Sequence, residues 1–102
     1  MKPDTFRKLA LALPEAEERE HMKHPDFRVR GKVFATLGYP DEAWGMVKLT
    51  PEEQSSFMAA DPESFRPCAG AWGKKGCTNV QLKTVKKGML QAALEAAHER
   101  LA

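Results

Sequence analysis

The stretch FRVRGKVFATL, residues 27–37, decides the fold of this 102-residue chain. Its first four residues alternate apolar and basic side chains, which is typical of a half-buried strand. Gly31 suits the turn that follows, and residues 32–37 return as the partner strand. A loop over residues 38–41 comes next. The stretch therefore predicts an antiparallel β-hairpin, to which other elements can be added on both sides.

A first helix is predicted ahead of this hairpin. Apolar side chains recur at helical spacing over residues 6–13. Asp4 or Thr5 can cap the helix, and Pro14 ends it. A polar segment over residues 19–22 is then interpreted as a strand or a loop, so the sheet has room for one more strand before the hairpin.

The second helix has an unusually clear start. Residues 44–49 are predicted as a strand, and the helix begins directly after it. Thr50 can cap this helix, Pro51 suits its first position and Glu53 completes a capping box. Residues 62–70, which follow the helix, are predicted to be irregular.

The last third of the chain supplies one more strand and one more helix. Residues 73–76 form a glycine–lysine turn. Alternation over residues 78–83 predicts a strand in which Val80 and Leu82 face the core. Thr84 is then expected to cap a last, amphipathic helix.

These elements follow the order α-β-β-β-α-β-α. One face of the sheet buries apolar residues under the helices, and the other face is left to solvent. The sequence therefore predicts an α+β two-layer sandwich, an antiparallel sheet with helices packed on one face, in a single domain over residues 1–102.

Composition indicates an ordinary soluble protein. The chain is 42% hydrophobic and 29% charged, which gives enough core to fold without disulfides or metals. No stretch approaches the roughly 20 apolar residues of a membrane span, and the opening residues do not form a secretory signal. A disulfide could close the short loop between Cys68 and Cys77, but reduced thiols in a cytoplasmic protein are the favoured interpretation.

The charge pattern is the main functional signal. The net charge is only +2, from 16 basic and 14 acidic residues, so a local imbalance is more informative than the total. Between Glu63 and Glu95 the chain has no acidic side chain, although apolar residues anchor this segment in a folded structure. An unneutralised run of cations favours a surface for an anion. Its cations are Arg66, Lys74, Lys75, Lys83, Lys86 and Lys87.

A nucleic-acid backbone is the anion that this segment is predicted to bind. Lys86 and Lys87 lie at the start of the last helix, where free N–H groups also favour an anion. Arg28 and Arg30 extend the track across the open sheet face, and Trp72 can stack a base. The plain alternatives are a solvated lysine-rich turn and a tryptophan that covers the edge of the core. The predicted nucleic-acid-binding residues are Lys74, Lys75, Lys83, Lys86, Lys87, Arg28, Arg30 and Trp72.

Metal binding and catalysis are not predicted. His21 and His24 are three residues apart, but Pro25 favours a loop or strand there, and no further ligand stands at a suitable spacing. Cys68 and Cys77 lack the CxxC spacing of a zinc site, and no base is identifiable for a catalytic thiol. The sequence therefore predicts no catalytic residue, no metal and no cofactor.

Three segments together resemble the MmcQ/YjbR family, in the same order along the chain: residues 6–14, 25–35 and 72–82. The WGKKG run at the start of the third segment is the most specific part. The resemblance implies a small bacterial domain with a CyaY-like two-layer fold and no established activity, for which DNA binding is suggested by fold analogy and basic surface. This chain has Cys77 where similar sequences usually carry an aromatic residue, and it has Lys86 and Lys87 where they often carry acidic ones.

The sequence favours a non-enzymatic cytoplasmic domain, expected as a monomer, that binds nucleic acid weakly through phosphate contacts. The alternative is a protein-interaction module that uses the exposed sheet face or edge. Phe34, Trp44 and Met46 projecting together from that face would favour this alternative. A third interpretation is a small-anion pocket at the start of the last helix. An enzyme whose pocket is assembled from distant residues is the least favoured.

Overall fold

The computed structural model describes residues 1–38 and 41–102, which form an α+β domain with one antiparallel sheet. The strands are β1 (Glu17–His21), β2 (His24–Val29), β3 (Lys32–Leu37), β4 (Trp44–Lys48), β5 (Phe65–Pro67) and β6 (Cys77–Gln81). The helices are α1 (Pro3–Leu11), α2 (Pro51–Ala60), α3 (Ala71–Lys74) and α4 (Lys87–Leu101). The strand order across the sheet is β1-β2-β3-β4-β6-β5.

Residues 27–37 form the predicted hairpin, with β2 and β3 paired in antiparallel register. Its turn contains Arg30 and Gly31, which both have positive φ angles, 54° and 76°. Positive φ at both central residues is the geometry whose twist matches that of the flanking strands. The hairpin is therefore confirmed, and Arg30 belongs to its turn rather than to the strand.

A β-bulge sets the position of Phe34. The register shifts within the hairpin, so Phe27 pairs with Ala35 while Arg28 pairs with Val33, and Phe34 has no partner on β2. Such a bulge re-aims the extra side chain. The Phe34 ring is fully buried and meets the ring of His98 on α4 edge to face, with centroids 5.4 Å apart. Phe34 therefore does not project from the open face, as the protein-interaction alternative would require.

One face of the sheet is buried beneath the helices, as predicted. Along β4, Gly45 and Val47 are buried, whereas the alternate residues are only half-buried. Gly45 makes room for α1, because a Cβ there would lie 2.6 Å from the Phe6 ring. Val80 is fully buried. The largest fully buried apolar side chains are Phe6, Phe27, Phe34, Phe65, Leu49, Leu82, Leu90 and Leu94.

The start of α2 is built as the sequence predicts. The Glu53 N–H donates to Thr50 Oγ1 over 3.1 Å, and the Thr50 N–H donates to Glu53 Oε1 over 2.9 Å. Pro51 occupies the first turn. This reciprocal pair satisfies two N–H groups that have no partner within the helix.

The starts of the other two long helices differ from prediction. α1 begins at Pro3 after Lys2, with no side-chain cap, so neither Asp4 nor Thr5 caps it. α4 begins at Lys87, and Thr84 lies outside it with its hydroxyl 2.8 Å from that of Ser64. In the described residues, no helix combines the length and the apolar character that crossing a membrane requires.

The structure forms the extra strand for which the sequence left room, and it adds two further elements to the predicted order. β1 is formed by the highly charged residues 17–21, β5 is a three-residue edge strand within the segment predicted to be irregular, and α3 is a single turn. Antiparallel pairing with β2 and β6 stabilises the two strands. The loop predicted over residues 38–41 includes residues 39 and 40, which lie outside the described residues.

Candidate nucleic-acid interface

The predicted binding lysines fall into two groups. β6 runs from Cys77, opposite Lys48, to Gln81, opposite Trp44. Lys74 and Lys75 lie just before its first residue, whereas Lys83, Lys86 and Lys87 follow its last residue. A five-residue strand separates its two ends by about 13 Å. The predicted lysines therefore lie at opposite ends of β6.

The first group surrounds an exposed tryptophan. Trp72 in α3 is 64% exposed. The Lys75 and Lys48 Nζ atoms lie 5.7 Å and 6.0 Å from the centroid of its ring. Arg100, from the end of α4, donates to the Lys48 carbonyl over 3.1 Å. We call Lys48, Trp72, Lys75, Cys77 and Arg100 the Trp72 cluster; with Leu49 they line an open cavity of about 160 Å³.

Two glycines shape the segment that carries Trp72. A Cβ on Gly73 would lie 2.0 Å from the Cys68 carbonyl oxygen, and one on Gly76 would lie 2.0 Å from the Leu49 carbonyl oxygen. Gly76 also has a φ of 106°, which L side chains rarely adopt. The WGKKG run therefore packs its backbone directly against two neighbouring segments.

A buried glutamine fixes the same segment from the side of α2. The Gln54 amide donates to the carbonyls of Gly73 and Cys77, both over 3.0 Å, and to the Thr78 hydroxyl over 3.1 Å. Buried polar groups are stable only when they are paired in this way. Because Gln54 follows directly from the capped start of α2, the rigid helix positions the loop with Trp72.

Among the residues that the structure describes, no acidic side chain forms an ion pair with a cation of the Trp72 cluster, namely Lys48, Lys75 or Arg100. The described residues that line their cavity include no carboxylate. A cation above an aromatic face keeps its full charge, so this part of the surface retains a positive potential.

Arg28 is in the opposite situation. Its guanidinium donates to Asp26 Oδ1 over 2.8 Å and to Oδ2 over 3.1 Å, and His21 Nδ1 lies 2.8 Å from Oδ2. The Asp26 side chain is fully buried. The hydrogen bonds from Arg28 hold the pKa of Asp26 below its ordinary value, against the effect of burial. The charge of Arg28 is thus neutralised within the domain, although the sequence placed it in the basic track.

Arg30 and the open sheet face also differ from expectation. Arg30 is exposed, in a shallow cavity that it shares with Glu15 and Glu17. Trp44 does face the open side, but the Arg66 guanidinium lies 5.4 Å from its ring centroid. With Phe34 buried, the apolar trio that would favour a protein-interaction surface is not formed.

Arg100 is the functional candidate that the sequence analysis missed. It lies in the last turn of α4, 52 residues from the Lys48 carbonyl to which it donates. No local pattern could have found it, because its position depends on the length and direction of α4. The described residues hold no group of three or more potential metal ligands.

Comparisons with known proteins agree with this architecture. The family model YjbR matches residues 11–100. The chain is similar to the Deinococcus radiodurans protein DR2400, which carries a DUF419 domain. The TM-score is 0.77, the sequence identity is 22%, and the match covers 94% of this chain and 75% of that chain. A Pseudomonas syringae protein is similar over 100% of both chains, with TM-score 0.77 and 17% identity. At these identities the two solved structures show a shared fold. No curated protein matches the chain.

Proposed function

The chain belongs to the YjbR family, and we propose that it is a small, non-enzymatic domain that binds the backbone of single-stranded nucleic acid at the Trp72 cluster. This proposal keeps Lys74, Lys75 and Trp72 from the predicted residues and adds Lys48 and Arg100. It leaves out the paired Arg28, Arg30 beside Glu15 and Glu17, and the three lysines at the far end of β6. The expected cytoplasmic location would place the domain in contact with nucleic acid.

The observation that carries the proposal is an exposed indole ring with two ammonium groups beside it. Trp72 is 64% exposed, and both Nζ atoms lie within 6.0 Å of its ring centroid. A nucleic-acid base stacks on such a ring irrespective of its identity, and the adjoining phosphates need cations close by. Lysine-rich contacts favour the backbone over base edges, so we expect little sequence preference.

Fluorescence of Trp72 tests the proposal directly. The chain has two tryptophans, so Trp44→Phe leaves Trp72 as the only indole and keeps an aromatic ring under Arg66. Short oligothymidylate at low salt should quench its emission, because the base stacks on the ring. In the same background, Lys48→Glu with Lys75→Glu should abolish the quenching.

A matched control comes from the other group of lysines. Lys86→Glu with Lys87→Glu changes the net charge by the same amount at the far end of β6. We expect this variant to keep most of the quenching. Absence of quenching in the parent protein at low salt, or equal loss in both double variants, would overturn the proposal.

The alternative proposal, a protein-interaction role, is supported by the face of the sheet that the helices leave uncovered. Trp44 and Met46 lie on this face, but both are half-buried and Arg66 covers the indole. A pull-down from lysate with and without nuclease separates the two functions. Partners that survive nuclease treatment, and that are lost on Met46→Asp, would favour the protein-interaction role.

A further inference from the structure

We propose that Cys68 and Cys77 form a dithiol site that low-molecular-weight disulfides oxidise to an intramolecular disulfide. The inference does not depend on the proposed nucleic-acid binding. It rests on the relative positions of the two thiols, on their access to solvent and on the charges that surround one of them.

The backbone places the two cysteines directly opposite each other. Pro67 at the end of β5 pairs with Thr78 on β6, and the Cys68 N–H donates to the Cys77 carbonyl over 2.9 Å. Opposed residues of antiparallel strands have Cα atoms about 4.5 to 5.5 Å apart, within the range that a disulfide spans. The two Sγ atoms are 2.9 Å apart and the cysteines are free. Only side-chain adjustment is needed to bond them.

The surroundings make the two thiols unequal. The Cys68 thiol donates a hydrogen bond to Cys77 Sγ, which lowers the pKa of Cys77, and the nearby Lys48 ammonium lowers it further. The same hydrogen bond, together with burial, raises the pKa of Cys68. Lys48 from β4, Lys75 directly after α3 and Arg100 from α4 line the cavity with Cys77, and none of the described acidic residues does. Cys77 is therefore the nucleophile.

The reaction is a pair of thiol–disulfide exchanges. The Cys77 thiolate attacks one sulfur of the small disulfide RSSR, which forms a Cys77–SR bond and releases one RS⁻. Cys68 then loses its proton to solvent or to the departing thiolate, attacks Cys77 Sγ and releases the second RS⁻. The two cysteines are oxidised and RSSR is reduced to two thiols. Both cysteines are half-buried, so a small reagent can reach them.

The bond would link the two ends of the segment that carries Trp72, Lys74 and Lys75, and so close it into a covalent loop. Gly73 and Gly76 already hold this segment against the neighbouring backbone. The disulfide would therefore stabilise the existing conformation of this loop rather than impose a new one.

Mass spectrometry of the intact protein with oxidised glutathione tests the inference. The wild-type protein should lose two hydrogen atoms and yield a Cys68–Cys77 linked peptide. Cys68→Ser should stop at one glutathione on Cys77, because the second thiol is missing. Cys77→Ser should react about tenfold more slowly, since the remaining Cys68 thiol is partly buried and does not line the cavity with Lys48, Lys75 and Arg100.

Two results would overturn the inference: wild-type protein that ends as a stable mixed disulfide or an intermolecular dimer, or single variants that react at equal rates. Circular dichroism of each variant establishes that it is folded. Serine is close to cysteine in size, and both side chains are only partly buried, so we expect both variants to fold.

Discussion

The two halves of the sheet place the same kinds of cations beside different partners. In the β1-β2-β3 half, Arg28 is bound to the buried Asp26, and Arg19 lies 3.6 Å from Glu17. In the β4-β6-β5 half, Arg66 and Lys48 lie against the rings of Trp44 and Trp72. The first half is close to neutral, whereas the second keeps its positive charge.

This difference separates charges that stabilise the fold from charges that remain available to a ligand. A buried carboxylate needs its cation, because an uncompensated charge in the interior is costly. A cation on an exposed aromatic ring can still bind an anion, because the ring carries no net charge. Counting cations in the sequence could not make this distinction.

The largest expected effect is on stability, in the β1-β2-β3 half. Asp26→Ala should lower the free energy of unfolding by about 3 kcal/mol, because it leaves a guanidinium without its buried partner. Glu17→Ala, which removes an exposed carboxylate, should change it by less than about 0.5 kcal/mol. Urea denaturation measures both. Equal effects would contradict the distinction between the two carboxylates.

The pH dependence of the same pair has a defined sign. The pKa of Asp26 is lowered in the folded state, so its contribution to stability is present above its unfolded value of 3.8 and is lost as pH falls through the lower folded value. The stability difference between wild type and Asp26→Ala should therefore shrink as the pH falls below about 4. A constant difference down to pH 2 would contradict the assigned direction.

The next effect concerns stability in the β4-β6-β5 half. Oxidation of Cys68 and Cys77 should raise the free energy of unfolding by about 2 to 3 kcal/mol, because the bond restricts the unfolded chain. Urea denaturation of reduced and oxidised protein measures the gain. The double variant Cys68→Ser with Cys77→Ser, treated with the same oxidant, should show no change. A loss of stability on oxidation would mean that the opposed strands cannot accept the bond without distortion.

A smaller effect is expected on binding. Trp72→Ala should weaken the affinity for oligothymidylate by about tenfold, because one stacked base is lost. Trp44→Phe should leave it unchanged, since that ring faces Arg66. Fluorescence anisotropy of a labelled oligonucleotide measures both. If Trp44→Phe weakened binding more than Trp72→Ala, the ligand would lie across the open face of the sheet, beside Trp44, instead of at the Trp72 cluster.

The smallest expected effect concerns the pKa of Cys77 and the charge of Lys48 beside it. Lys48→Met should raise the pKa of Cys77, because it removes a positive charge near the thiolate. The pH profile of alkylation by iodoacetamide in the Cys68→Ser background measures the change. Lys86→Met, at the far end of β6, should leave the profile where it was.

The sequence was sufficient where local chemistry determines the structure. Thr50 and Glu53 form their capping box from contacts three residues apart, and Gly31 makes the hairpin turn as predicted. β5 was missed because Phe65 and its neighbours become a strand only through pairing with β6. The position of Phe34 could not be derived from the sequence, because it depends on a bulge that strict alternation cannot reveal.

The candidate site was only partly predictable for the same reason. Lys74, Lys75 and Trp72 are neighbours in sequence and remain neighbours in space. The length of β6 separates them from Lys86 and Lys87, and the direction of α4 adds Arg100. These relations depend on the whole topology.

The salt dependence of oligothymidylate binding tests the central claim most directly. If Lys48, Lys74, Lys75 and Arg100 each contact a phosphate of a single strand, log affinity should fall with log salt at a slope of about −2.8. Lys48→Met with Lys75→Met should reduce the slope to about −1.4, while Lys86→Met with Lys87→Met should leave it near −2.8. Equal slopes for the two double variants would contradict the claim that the charges beside Trp72 bind the ligand.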